Sequence, residues 1–140
     1  DMHPATQDKI DQLCQKGDGY LNACAFDEAL NAYQSAAALL PDPKPDWPQS
    51  TWLFTAIGET FFFKEKYLKA LEYLKMAVTC PGGLGNPLIH LRLGQVHYEL
   101  YDFDKSADEL TRAYMGAGED IFEEDDPKYL RFLKSRIVTK

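Results

Sequence analysis

Taking Gly17, Gly58 and Gly94 as origins brings three stretches of the 140-residue sequence into register. Three residues on from each stand Tyr20, Phe61 and His97; nine on, Phe26, Tyr67 and Phe103; twelve on, Ala29, Ala70 and Ser106. Sixteen on come Tyr33, Leu74 and Leu110, and nineteen on, Ala36, Ala77 and Ala113. Small residues at fixed offsets let two helices approach closely, and the large residues between them fill the remaining space. A unit that recurs must bury the same face each time against its neighbour, so repetition constrains topology more tightly than local propensity.

Apolar residues recur at helical spacing almost throughout, and proline and glycine cluster only at Pro41–Pro48, Pro81–Pro87 and Gly116–Gly118. Nothing alternates with the period of a strand, so the expected class is all-α. The pattern predicts helices over 5–21, 26–39, 48–64, 67–79, 87–101 and 104–115, with a terminal one over 127–138. The internal pattern resembles the tetratricopeptide repeat, W-x2-L-G-x2-Y followed by A-x3-F and a proline. The second copy reads Phe54-x2-Ile57-Gly58-x2-Phe61, and the first ends at Pro41. The resemblance covers residues 5–116 and implies a superhelical stack of three antiparallel helix pairs.

The expected organisation is a single domain over 1–140. Repeat 1 spans 5–41, repeat 2 spans 48–81 and repeat 3 spans 87–116; an acidic loop over 117–126 and a capping helix over 127–138 complete it. The copies lie 41 and 36 residues apart, against about 34 in the resembled family. The excess falls in the proline-rich 41–48 and the glycine-rich 82–85, both loops by their turn chemistry. Ser106 stands where alanine is expected and His97 where an aromatic is expected, so repeat 3 departs furthest. The terminal helix opens on Asp126 and Pro127, a good N-cap and first helical residue. Its stripe of Tyr129, Leu130, Leu133 and Ile137 would cover the last open face of the stack, with Lys128, Arg131 and Lys134 off the stripe. Asp1 precedes Met2, and the expectation is that the native chain starts at Met2 and is nearly a whole stand-alone protein.

Hydrophobic residues at 45% and aromatics at 13% exclude a disordered chain, and no apolar run approaches the roughly 18 residues of a membrane span. The net charge of −7 argues against nucleic acid, whose binding rests on lysine and arginine neutralising phosphates, and favours a basic partner. That charge is uneven. Residues 119–126 hold six acids and no base, and 127–140 hold five bases and no acid. The acidic run is either a solvated loop or a steering surface. Cys14, Cys24 and Cys80 are an odd number without metal-ligand spacing, which fits reduced thiols in the cytoplasm.

No catalytic constellation, cofactor site or metal site emerges. His90 and His97 share a helical face but occupy aromatic positions of repeat 3, so packing is their expected role, and His3 lies in a terminus expected to fray. The acids of 119–126 do not match a calcium loop, and Gly82-Gly-Leu-Gly85 follows a helix rather than a strand, unlike a phosphate loop. The expectation is a binding protein, not an enzyme.

In the resembled family the first helices of the repeats line a concave groove. Transferred to this chain, repeat 1 supplies Asp11, Cys14, Gln15, Asp18, Leu21 and Asn22. Repeat 2 supplies Trp52, Thr55, Ala56, Glu59, Phe62 and Phe63. Repeat 3 supplies Leu88, Leu91, Arg92, Gln95, Tyr98 and Glu99. Asp11, Gln15, Asp18, Asn22, Trp52, Thr55, Glu59, Phe62, Phe63, Arg92, Gln95, Tyr98 and Glu99 are the candidate partner-binding residues. Trp52, Phe62, Phe63 and Tyr98 would be anchors among the acids Asp18, Glu59 and Glu99. Members of the family that grip a carboxylate tail use lysines, asparagines and an arginine. Here those positions hold Cys14, Asp18, Ala56, Leu88 and Arg92; only Arg92 matches, and Asp18 would repel a carboxylate. The tail Gly118–Leu133 resembles the ends of compact repeat proteins encoded beside bacterial toxins. The expected function is therefore to neutralise or escort one basic protein; the alternatives are a general scaffold that binds a peptide or helix, and a homodimer that buries the groove aromatics.

Overall fold

The computed structural model describes residues 2–137, without the side chain of Ile137. Asp1 and the last predicted residue of the capping helix, Val138, lie outside the described residues. The described residues form seven α-helices: α1 (Pro4–Asn22), α2 (Phe26–Ala38), α3 (Pro48–Phe63), α4 (Tyr67–Val78), α5 (Pro87–Glu99), α6 (Phe103–Ala117) and α7 (Pro127–Ile137). Single 3-10 turns occupy Lys44–Asp46 and Glu119–Phe122, and there is no strand among the described residues. Packing is heaviest within the pairs α1–α2, α3–α4 and α5–α6, then between α2 and α3 and between α4 and α5.

The glycine register has a direct structural cause. A Cβ on Gly17 would lie 2.6 Å from the ring of Tyr33, one on Gly58 2.8 Å from Leu74, and one on Gly94 2.5 Å from Leu110. Each glycine thus receives the side chain sixteen residues later, from the second helix of its own pair. Ala29, Ala70, Ala36, Ala77 and Ala113 are all fully buried at the remaining close approaches. Ser106 fits its alanine-sized site because its hydroxyl donates to the Gly94 carbonyl at 2.7 Å.

Each pair turns in the same way. The N–H groups of Cys24 and Ala25 donate to the carbonyls of Leu21 and Tyr20; Glu65 and Lys66 donate to Phe62 and Phe61, and Tyr101 and Asp102 to Tyr98 and His97. These are three Schellman closures in register, with Cys24, Glu65 and Tyr101 at φ of 59°, 61° and 64°. The first helices start differently, on a proline: Pro4, Pro48 and Pro87, with Pro127 doing the same for α7. Side-chain caps help three of them. His3 Nδ1 accepts from Ala5 N–H, Asn86 from Leu88 and Asp126 from Lys128. His3 therefore caps α1, where the sequence suggested a frayed end.

One core runs through all three pairs, from Ile10 to Val96, and a second lies under α7, built from Leu91, Leu110, Ala113, Phe122, Tyr129 and Leu133. Of the predicted α7 stripe, Tyr129 and Leu133 are buried and Leu130 is half-buried. The acidic segment is not a solvated loop throughout: Phe122 is buried within it and Asp125 is half-buried. Helix α6 runs two residues past its predicted end, because Gly116 packs on Pro87 and the chain turns only at Gly118, with φ of 74°.

Candidate functional site

Helices α1, α3 and α5, the first of each pair, line one side of the stack, which corresponds to the concave side of the repeat architecture that the sequence resembles. Helix α3 is apolar almost all round because it is sandwiched: Leu53, Phe54 and Ile57 enter the core. Trp52 is left 43% exposed. It borders a cleft of about 390 Å³, together with Asp18 from α1, Thr55 and Glu59 from α3, and Leu88 from α5. Asp11, Gln15, Asp18 and Asn22 are exposed along α1, and Phe63 is 40% exposed at the end of α3.

The cleft carries the carboxylates of Asp18 and Glu59, and Asp18 also acts on its neighbours behind the cleft wall. The Tyr33 hydroxyl donates to Asp18 at 2.5 Å. Burial, then the Asp18 carboxylate, holds that phenol protonated well above its ordinary range. Burial, then Asp18 and Asp11, pushes the Cys14 thiol up to about 12. Such a thiol is no nucleophile at neutral pH.

The α5 half of the concave side is organised around Arg92. Its Nε donates to Glu59 at 2.7 Å and its Nη1 to Gln95 and Asp125, both at 2.9 Å. Its guanidinium lies over the rings of Phe62 and Phe63, at 6.0 and 5.4 Å. One side chain thereby joins α3, α5 and the acidic segment. Beyond it, Glu99 accepts from the Tyr129 hydroxyl at 2.6 Å and pairs with Lys128 at 2.8 Å. Tyr98 meets Phe103, Tyr129 and Phe132 edge-on at 5.2–5.4 Å.

The thirteen residues assigned from sequence to one groove thus divide. Asp11, Gln15, Asp18, Asn22, Trp52 and Phe63 are open to solvent. Glu59, Phe62, Arg92, Tyr98 and Glu99 are half-buried, the last two beneath α7. Thr55 and Gln95 are buried: Thr55 sits in the wall of the 390 Å³ cleft with its hydroxyl donating to the Thr51 carbonyl, and Gln95 lies fully buried against Arg92. The register of the repeat places these two positions on the groove side, but nothing in it signals that neighbouring side chains close over them.

Sequence reasoning missed that the acidic segment lies against this same side. A smaller cleft of about 210 Å³ separates Leu88, Leu91 and Arg92 from Asp120, Ile121, Glu123 and Glu124. The apolar pair Ile121–Phe122 inside a run of acids was the available signal. His90 and His97 are buried packing residues. The Gly85 N–H donates to His90 Nε2 at 2.9 Å, so Nδ1 carries the proton and donates to Glu109 at 2.6 Å. No cluster of three metal-ligating side chains occurs among the described residues, and none of their helices is long and apolar enough to cross a membrane.

The fold is an all-α helical repeat with the architecture of tetratricopeptide-repeat domains. Solved structures with this fold include the first TPR of Spaghetti (RPAP3) bound to the HSP90 peptide SRMEEVD, at TM-score 0.70 and 19% identity over 91% of this chain and 90% of that one. The Sgt2 TPR domain from Aspergillus fumigatus matches at TM-score 0.68 and 14% identity, over 95% of this chain and 77% of that one. The Arabidopsis OM64 TPR domain matches at 0.72 and 14%, over 94% and 99%. No family model and no curated protein matches the sequence.

Proposed function

We propose that this chain binds one specific basic protein through the open half of its concave side, and neutralises or escorts it. The observation that carries this reading is Trp52, exposed at a cleft whose carboxylates are Asp18 and Glu59. A large aromatic beside acids gives an anchor for an apolar side chain and a counter-charge for its cationic neighbours. The net charge of −7 supports association steered toward a cationic partner and opposes nucleic acid. Three cysteines without a disulfide fit a reducing cytoplasm. The tail that resembles repeat proteins encoded beside toxins makes an immunity role the specific form of this proposal.

The test is co-purification from the native cell, followed by titration of the captured protein. The expected result is a 1:1 complex with a basic protein, weakened by salt and by roughly tenfold or more on Trp52→Ala or Phe63→Ala. Failure to enrich a basic protein, or unchanged binding by the Trp52 variant, overturns the reading. One observation favours a second reading, an adaptor for a peptide: the RPAP3 repeat domain of the same fold carries one. A tail peptide ending in a carboxylate suits this chain poorly, because Arg92 already holds Glu59 and Asp125 and because Asp18 faces the cleft.

A further inference from the structure

We propose that the acidic segment and the concave cleft form one continuous channel that receives a basic amphipathic helix of the partner. This rests on the concave-side reading above and specifies the partner's chemistry. Leu88 lines both the 390 Å³ cleft and the 210 Å³ cleft, so the two lie side by side at this residue of α5. Trp52 and Leu88, 43% and 38% exposed, give the channel an apolar middle. Asp18 and Glu59 flank that middle on one side, and Asp120, Glu123 and Glu124 on the other.

The charges are unequally available. Within the acidic segment Glu119 is paired with Lys134, Asp125 with Arg92, and Asp126 caps α7. Asp120, Glu123 and Glu124 have no cationic partner among the described residues, and all three are exposed. Arg92 is the single cation lining the two clefts, and its charge is already shared between two carboxylates. An apolar strip edged on both sides by carboxylates with no cationic partner among the described residues, Asp18 on one and Asp120, Glu123 and Glu124 on the other, is the complement of a helix with an apolar stripe between two rows of lysine or arginine. An extended strand, which sends alternate side chains to opposite faces, would present its cations to one edge at a time.

The probe is a synthetic helix of about 14 residues, leucines at i, i+3, i+4 and i+7 and lysines elsewhere, titrated into the full chain at low salt. The segment variant is Glu123→Gln with Glu124→Gln. The control removes the same charge from α4 and α6, which back the concave side, as Glu72→Gln with Asp108→Asn. The expected result is a loss of roughly tenfold for the segment variant and for Trp52→Ala, and little change for the control. If Trp52→Ala weakens binding while the segment variant matches the control, the single channel is refuted and the cleft reading survives. If the segment variant weakens binding and Trp52→Ala does not, the acidic segment acts alone and the channel is again refuted. Equal losses for segment and control variants mean attraction by net charge only, and overturn it too. Thermal melts of each variant show that the fold is intact, since none of the mutated acids touches the core.

Discussion

Replacing Gly17 by alanine and replacing Gly19 by alanine are the same chemical change two residues apart in α1, and they should move stability in opposite directions. At Gly19 an added methyl meets nothing within 4 Å, so the substitution removes only the backbone entropy that glycine loses on entering a helix. That gain is about 0.5–1 kcal/mol. At Gly17 the same methyl lies 2.6, 2.7 and 2.9 Å from three ring atoms of Tyr33, where carbon atoms prefer about 3.5–4.0 Å. The ring must retreat by about 1 Å, yet Tyr33 is fully buried and its hydroxyl is held by Asp18. Overpacking of this kind costs about 1–3 kcal/mol, which exceeds or cancels the propensity gain. The propensity gain is common to both, so the expected separation between the two variants is about 1–3 kcal/mol in urea unfolding, or several degrees in melting temperature at about 3–4 °C per kcal/mol for a chain of this size. If Gly17→Ala stabilises the chain as much as Gly19→Ala does, the close approach of α1 and α2 is not what the glycine register encodes. The reasoning from repeat to fold then fails with it.

Tyr101 sits in the left-handed region at φ of 64°, 82% exposed, so Tyr101→Gly should stabilise by about 0.5–1 kcal/mol. A chemical melt that shows no gain would mean that the tyrosine ring contributes packing that offsets its backbone strain. His97 is buried, and burial, against the opposing pull of Asp102 and Glu109, lowers its pKa below the usual 6.5. The unfolded chain therefore takes up the proton first, so the stability His97 contributes is present above pH 6.5 and is lost as pH falls below it. Urea midpoints measured from pH 7.5 to 5 should fall more steeply for the wild type than for His97→Phe; parallel curves would exclude this histidine as a source of acid sensitivity.

The helix pairs were legible because their determinants are local and repeated: glycine and alanine at close approaches, and prolines at the helix starts. The three turns were harder to read. The left-handed residue that closes each first helix is Cys24, Glu65 or Tyr101, not the glycine that usually announces it. Their hydrogen-bonding register is clear in the backbone, while their side chains share nothing. The candidate site was legible in its α1 and α3 residues, whose position follows from the repeat alone. It was not legible at α5, because what covers Tyr98, Glu99 and Arg92 comes from 29 to 34 residues further along the chain, outside the repeat register.

The cap occupies part of the surface that the repeat register assigns to the groove. A repeat array must seal the apolar face of its last unit, and here α7 and the acidic segment do so by bonding to the concave side of repeat 3 as well as to α6. Arg92, Tyr98 and Glu99 are therefore committed to holding the chain's own C-terminal segment, and a partner would have to displace Asp125, Tyr129 and Lys128 to reach them. Displacing Asp125 would take one of two counter-charges from the half-buried Arg92 and leave Glu59 alone to pair it, and breaking such pairs is costly. On the proposed reading, recognition falls to the residues the cap leaves free: Trp52, Asp18 and Phe63 from the first two repeats, and Asp120, Glu123 and Glu124 from the cap itself. Sealing the stack does not simply remove binding surface, because the segment that closes repeat 3 brings three unpaired carboxylates to the edge of the cleft.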